Sequence, residues 1–127
     1  SPEETALSLK LMESFGRASM VPESLMDAVG AVSGSSPAFV FMFLEAMADA
    51  AVAAGMPRAQ ACEFAAQAVY GSAKLVLESG KHPGELKDMV CSPGGTTIQG
   101  VRVLEERGMR SAVFEALTAT VEQSRKL

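Results

Sequence analysis

Residues Pro37–Met56 read PAFVFMFLEAMADAAVAAGM. The block is apolar around most of a helical circumference, and a helix of that kind has to be covered on several sides. Its length invites a transmembrane reading. Glu45 and Asp49 sit in its middle, however, and its second half is mostly alanine, so insertion into a bilayer is poorly driven. A buried helix of a soluble protein is the better reading. A chain of 127 residues has too few other helices to cover it, which predicts a partner subunit. Ala46, Ala50, Ala53 and Ala54 would let a neighbouring helix approach closely.

The segments on either side repeat the helical pattern. Between Gly16, Pro22, Gly34, Gly55, Gly80, Gly94 and Gly108, apolar residues recur at helical rather than alternating spacing. The expected fold class is all-α, a bundle of about six helices. PESLMDAVGAV from Pro22 reads as a short helix, SGSSP as a loop, and Ser36 and Pro37 as the N-cap and first position of the long helix. Pro57 opens PRAQACEFAAQAVYGSAKLVLESG, which Gly80 closes, and Pro83 opens the short PGELKDMVC. TTIQGVRVLEERG and MRSAVFEALTATVEQSRKL follow, the first with Ile98, Val101 and Leu104 and the second with Val113, Phe114, Leu117 and Val121 in helical register. Tyr70, Met20, Met42, Met47 and Met56 are expected at packing positions.

The first 22 residues differ in character. PEETALSLKLMESFG is a helix with acidic residues in its first turn and Gly16 as its stop. RASMV, Arg17 to Val21, alternates like a short strand, and a lone strand has nothing to pair with in a helical domain. Residues 1–22 are therefore expected to be the end of an upstream α/β unit, and residues 23–127 a single helical domain.

Nearly half the residues are apolar and a fifth are charged, the composition of a soluble globular chain. With a formal net charge of -4 and no basic stripe, nucleic acid is a poor partner. Cys62 and Cys91 could form at most one disulfide, and no signal peptide is evident, so the expectation is a cytoplasmic protein with reduced thiols.

Chemistry concentrates in VCSPGGTTIQGVRVLEERG, Val90–Gly108. A Pro-Gly-Gly turn takes positive backbone dihedrals and puts no side chain between the backbone and an approaching ligand. Thr96 and Thr97 then begin a helix whose first amides lack internal acceptors and carry the positive end of the dipole. Such a turn can cradle a small carboxylate. The same residues are also how an ordinary helix is capped, with Thr96 as the cap and Thr97 solvated; spacing alone leaves both readings open. His82, the only histidine, precedes Pro83 at a helix start, where a cap or solvated role outweighs general acid catalysis. Cys91 reads as a small buried residue. Glu45 and Asp49 read as a polar seam and have no histidine companion that would suggest a metal.

The run PGELKDMVCSPGGTTIQGVRVLE, Pro83–Glu105, resembles the signature of the pyrroline-5-carboxylate reductase family. DAVGAVSGSSPAFVF, EAMADAAVAAGMPRAQA and LEERGMRSAVFEAL are similar to further segments of it, so that nearly all of Met26–Leu127 is covered. The resemblance implies a helical domain that forms an interlocked dimer, preceded in the chain by a dinucleotide-binding domain. It implies reduction of a cyclic imine to L-proline by NADPH or NADH. It places the carboxylate-binding loop on Ser92, Gly94, Gly95 and Thr96, with the Thr97 hydroxyl facing the substrate's ring nitrogen. Gly34, Ser35, Ser36 and Pro37 fall on the nicotinamide side of the cleft. Met89 and Met109 depart from residues common in the family, the first near the substrate loop. No G-x-G-x-x-G follows a strand here, so the cofactor-binding half is expected upstream and this chain alone is expected to be inactive. Two other classes fit a helical domain. One is a non-catalytic dimerisation module. The other is the helical domain of a hydroxyacid dehydrogenase, which pairs a lysine with an asparagine four residues on, where this chain has Lys74 and Glu78.

Overall fold

A computed structural model describes residues 1–127. Seven α-helices follow in order: α1 Pro2–Glu13, α2 Met26–Val29, α3 Ser36–Ala53, α4 Arg58–Ser79, α5 Pro83–Val90, α6 Thr96–Glu106 and α7 Met109–Arg125. A 3-10 turn at Glu23–Leu25 leads into α2. The all-α expectation holds.

The expected strand at Arg17–Val21 does not form, and these residues run as irregular chain. An alternating pattern makes a strand only where a second strand offers its unpaired amides and carbonyls, and no strand is present to do so. A cleft between α1 and this segment is lined by Thr5, Leu9 and Met12 on one side and Ala18 and Met20 on the other.

The expected loop at Ser33–Pro37 is also absent. Residues Gly30–Ser35 form a π-helical segment that joins α2 to α3 in one helical run from Glu23 to Ala53, 31 residues long. Proline explains the form of the join. Pro37 has no N–H to donate, and its ring crowds the carbonyl one turn back. The Ser36 amide reaches instead to the Ala31 carbonyl, five residues away, which widens the turn. The Val32 carbonyl then has no amide to accept from, since Ser36 is engaged and Pro37 has none. The Ser36 hydroxyl donates to it. Ser33 donates likewise to the Val29 carbonyl at 2.6 Å.

α3 and α4 form the principal pair, joined by a short turn in which Gly55 takes a φ of 103°. Their seam is made of alanine: Ala48, Ala61 and Ala65 are three of the four buried residues, the fourth being Ala31 in the π segment. Side chains this small let helix axes approach to about 8 Å. Gly80, at φ 67°, closes α4, and Gly108, at φ 75°, turns the chain from α6 into α7. α7 packs against α2 and the π segment, where Ser124 Oγ donates to Asp27 Oδ1 at 2.6 Å.

The protomer has almost no interior of its own. Tyr70, Met20 and Met42, expected at packing positions, are 62%, 69% and 69% exposed, and Phe41, Phe64 and Phe114 are equally open. Its accessible surface is 10022 Å². A compact monomer of 13.3 kDa would present about 6,500 Å² by the usual size scaling. Large apolar side chains stand exposed on that surface, as the sequence predicts for a face that meets a partner.

Candidate functional site

The turn Ser92–Gly95 heads α6. Gly94 sits at φ 70°, in the left-handed region where an L side chain is strained. The Gly95 amide donates to the Ser92 carbonyl at 3.0 Å, folding the turn back on itself. A Cβ added at Gly95 would lie 2.5 Å from Ser92 Oγ and 3.1 Å from the Ser92 carbonyl oxygen. Gly95 is needed for space and Gly94 for conformation, so the two adjacent glycines have separate causes.

Gly95, not Thr96, is the N-cap of α6, which corrects the capping alternative. Thr96 is already the first helical residue, and no side chain caps the helix. The reason is local: Gly95 takes the extended backbone of a cap, φ -77° and ψ 177°, and contributes no side-chain oxygen. The first amides of α6 therefore point outward unsatisfied, with exposed Thr96 and Thr97 beside them. An anion placed there meets several N–H donors and the positive end of the helix dipole.

His82 takes the capping role for α5: its Nδ1 accepts from the Gly84 amide at 2.9 Å. Cys91 is half-buried at the end of α5, and both cysteines are free thiols. Asp49 pairs with Arg58 at 2.6 Å across the α3–α4 turn, a structural tie. Lys74 pairs with Glu78 on its own helix at 3.8 Å. No group of three or more potential metal ligands is present.

Gly34, Ser35, Ser36 and Pro37 lie on the π segment and the first turn of α3. The Ser36 hydroxyl is committed as a donor to the Val32 carbonyl. A Cβ at Gly34 would meet nothing within 4 Å, so the helix backbone there is open to the approach of a flat group. Within one protomer α6 packs on α7, and α7 in turn on the π segment; α7 is thus the element that relates the two sets of candidate residues. The π form of the segment was missed in the sequence. Its signal was a proline directly after a Gly-Ser-rich run inside an otherwise unbroken helical pattern.

These features describe a class: an all-helical domain that lacks a core of its own, leaves large apolar side chains exposed, and presents an uncapped helix start behind a double-glycine turn. A family model for pyrroline-5-carboxylate reductase dimerisation matches residues 23–127. The chain belongs to the pyrroline-5-carboxylate reductase family. It is 65% identical to the pyrroline-5-carboxylate reductase of Escherichia coli over all 127 residues, which is 47% of that protein. It is 54% identical to that of Methanosarcina acetivorans, again over 47% of the relative. Among solved structures, a 1-pyrroline-5-carboxylate reductase from Streptococcus pyogenes matches with a TM-score of 0.90 at 38% identity, covering 100% of this chain and 49% of the other. A Plasmodium falciparum pyrroline carboxylate reductase with NADP bound matches with a TM-score of 0.89 at 31% identity, over 99% of this chain and 51% of the other. The chain spans about half the length of the curated relatives that it matches.

Proposed function

We propose that this chain is the helical, substrate-holding part of a cytoplasmic reductase that converts 1-pyrroline-5-carboxylate to L-proline, the last step of proline biosynthesis, and that it works as a homodimer. The observation that carries the reading is the start of α6, where the Gly94–Gly95 turn leaves the first amides free of any side-chain cap. A carboxylate is the ligand such a start accepts, and each charge-assisted hydrogen bond contributes about 1.5–3 kcal/mol. Ser92, Gly94, Gly95 and Thr96 hold the substrate carboxylate in this reading, and Thr97 faces the ring nitrogen. Gly34, Ser35, Ser36 and Pro37 approach the nicotinamide, for which the open backbone over Gly34 leaves room.

When bound, NADPH or NADH supplies the hydride. The chain's residues have modest demands placed on them. A protonated imine is already electrophilic, so they need only fix the carboxylate, orient the C=N bond and exclude water. The carbon of that bond gains the hydride, and the nitrogen, already protonated, becomes the ring amine. No nucleophile takes part, which agrees with His82 serving as a cap.

The test is NADPH consumption, followed by absorbance, when 1-pyrroline-5-carboxylate is added to the full-length reductase and to its Thr97→Ala variant. Loss of one hydrogen bond to the reacting group lowers kcat/KM about tenfold or more. A folded oligomer that turns over with neither nicotinamide cofactor refutes the proposal and leaves a non-catalytic dimerisation module.

A further inference from the structure

We propose that Asp27 and Ser124 are positioning residues, a clamp that holds the π segment in register for the nicotinamide. The role rests on the reading of Gly34–Pro37 given above. Ser124 Oγ and Asp27 Oδ1 are 2.6 Å apart and partly buried, and the two residues are 97 positions apart in sequence. Every other side-chain hydrogen bond joins residues nine or fewer positions apart, the widest being Arg58 with Asp49. This bond therefore fixes the far end of α7 to the chain just before the segment that Pro37 has loosened.

A π segment has a ready alternative, the ordinary α register. Passing from one to the other shifts the ladder by one residue and turns the side chains on one side of it by about 100°. Gly34–Pro37 would then face another direction. Within the helical run only Pro37, at the far end of the segment, opposes the change, because the segment's own bonds run to carbonyls within the same helix. Further opposition comes from outside. α7 packs on the segment, and Ser35 shares a cleft with Ala119, Thr120, Gln123, Ser124 and Leu127 of the α7 end. Asp27 lies one turn before the segment and takes the hydroxyl of Ser124. With that bond in place, α7 cannot slide along the helix, and the face that Ser35 presents to it cannot turn away.

The full-length reductase carrying Ser124→Ala, Ser124→Thr or Asp27→Asn tests this by two independent readouts. Amide hydrogen exchange is measured at residues 31–36 and, as an internal reference, at Ala48 and Ala61 in the α3–α4 seam. In Ser124→Ala the exchange at Ser36 rises about tenfold while the seam is unchanged, as for a local opening. The KM for NADPH rises about tenfold, with kcat and the KM for 1-pyrroline-5-carboxylate within twofold, the mark of lost cofactor positioning. Ser124→Thr, which keeps the hydroxyl, and Asp27→Asn, which keeps an acceptor oxygen, restore both values. Unchanged exchange in Ser124→Ala overturns the clamp, and faster exchange with an unchanged KM for NADPH overturns its positioning role. If the parent enzyme reduces nothing, the functional reading fails by itself; exchange together with NADPH binding followed by fluorescence still decides the clamp.

Discussion

Gly94 and Gly95 stand side by side in the sequence and are constrained by different physics. At Gly94 a Cβ would meet nothing within 4 Å, yet φ is 70°, so Gly94→Ala costs only the left-handed backbone, about 1–2 kcal/mol. At Gly95 the backbone suits any residue, but a Cβ would lie 2.5 Å from Ser92 Oγ. Gly95→Ala is therefore expected to displace Ser92 and distort the turn. Chemical denaturation should find Gly94→Ala the clearer loss of stability. Substrate KM should find Gly95→Ala the clearer loss of carboxylate binding. Adding Ser92→Ala relieves the shorter contact but leaves the carbonyl at 3.1 Å, so rescue of the KM in the double variant is expected to be partial. These distinctions are invisible in the string "GG", which carries neither dihedrals nor neighbours.

The join between α2 and α3 shows how an element absorbs a proline that ought to end it. Gly, Ser and Pro in SGSSP are ordinary loop residues, and a loop was the reasonable expectation. The helix continues with the Ser36 hydroxyl donating to the Val32 carbonyl, which Pro37 leaves without an amide, and with the Ser33 hydroxyl donating to the Val29 carbonyl. Ser36→Ala removes the donor to the Val32 carbonyl and is expected to cost about 1 kcal/mol. Ser36→Thr is expected to restore it, with thermal denaturation monitored by circular dichroism as the measurement. The expected strand at Arg17–Val21 failed for a related reason: its pattern was local, and the partner that would turn it into a strand is not.

For the molecule as a whole, the decisive quantity is the apolar surface that a single protomer leaves uncovered. α3 and α4 meet through alanines, which leaves Phe41, Phe43 and Phe64 exposed. Phe43, Met47, Val69 and Val76 line one open cleft between the two helices. The helical run Glu23–Ala53 is long and apolar enough to cross a membrane, and little of it is buried within the chain. In the proposed homodimer, association between copies covers that surface. Phe43→Glu puts a charge into the cleft and is expected to lower the mass seen by light scattering to that of a smaller assembly. A weaker thermal transition should accompany it, because the protomer has only four buried residues to stand on.

The helix count, the ends at Gly80 and Gly108, and the need for a partner were all legible in the 127 letters. They rest on rules that act within about four residues: proline lacks an N–H, glycine tolerates positive φ, and an all-round apolar helix has to be covered. The carboxylate turn was legible beside a helix capped by Thr96, and the backbone of Gly95 removes Thr96 from the capping position. Folding in three dimensions settled the rest: the π register, the alanine seam, and the bond between Asp27 and Ser124. Each of those depends on which distant groups arrive at the same place, and short-range sterics carry no information about that.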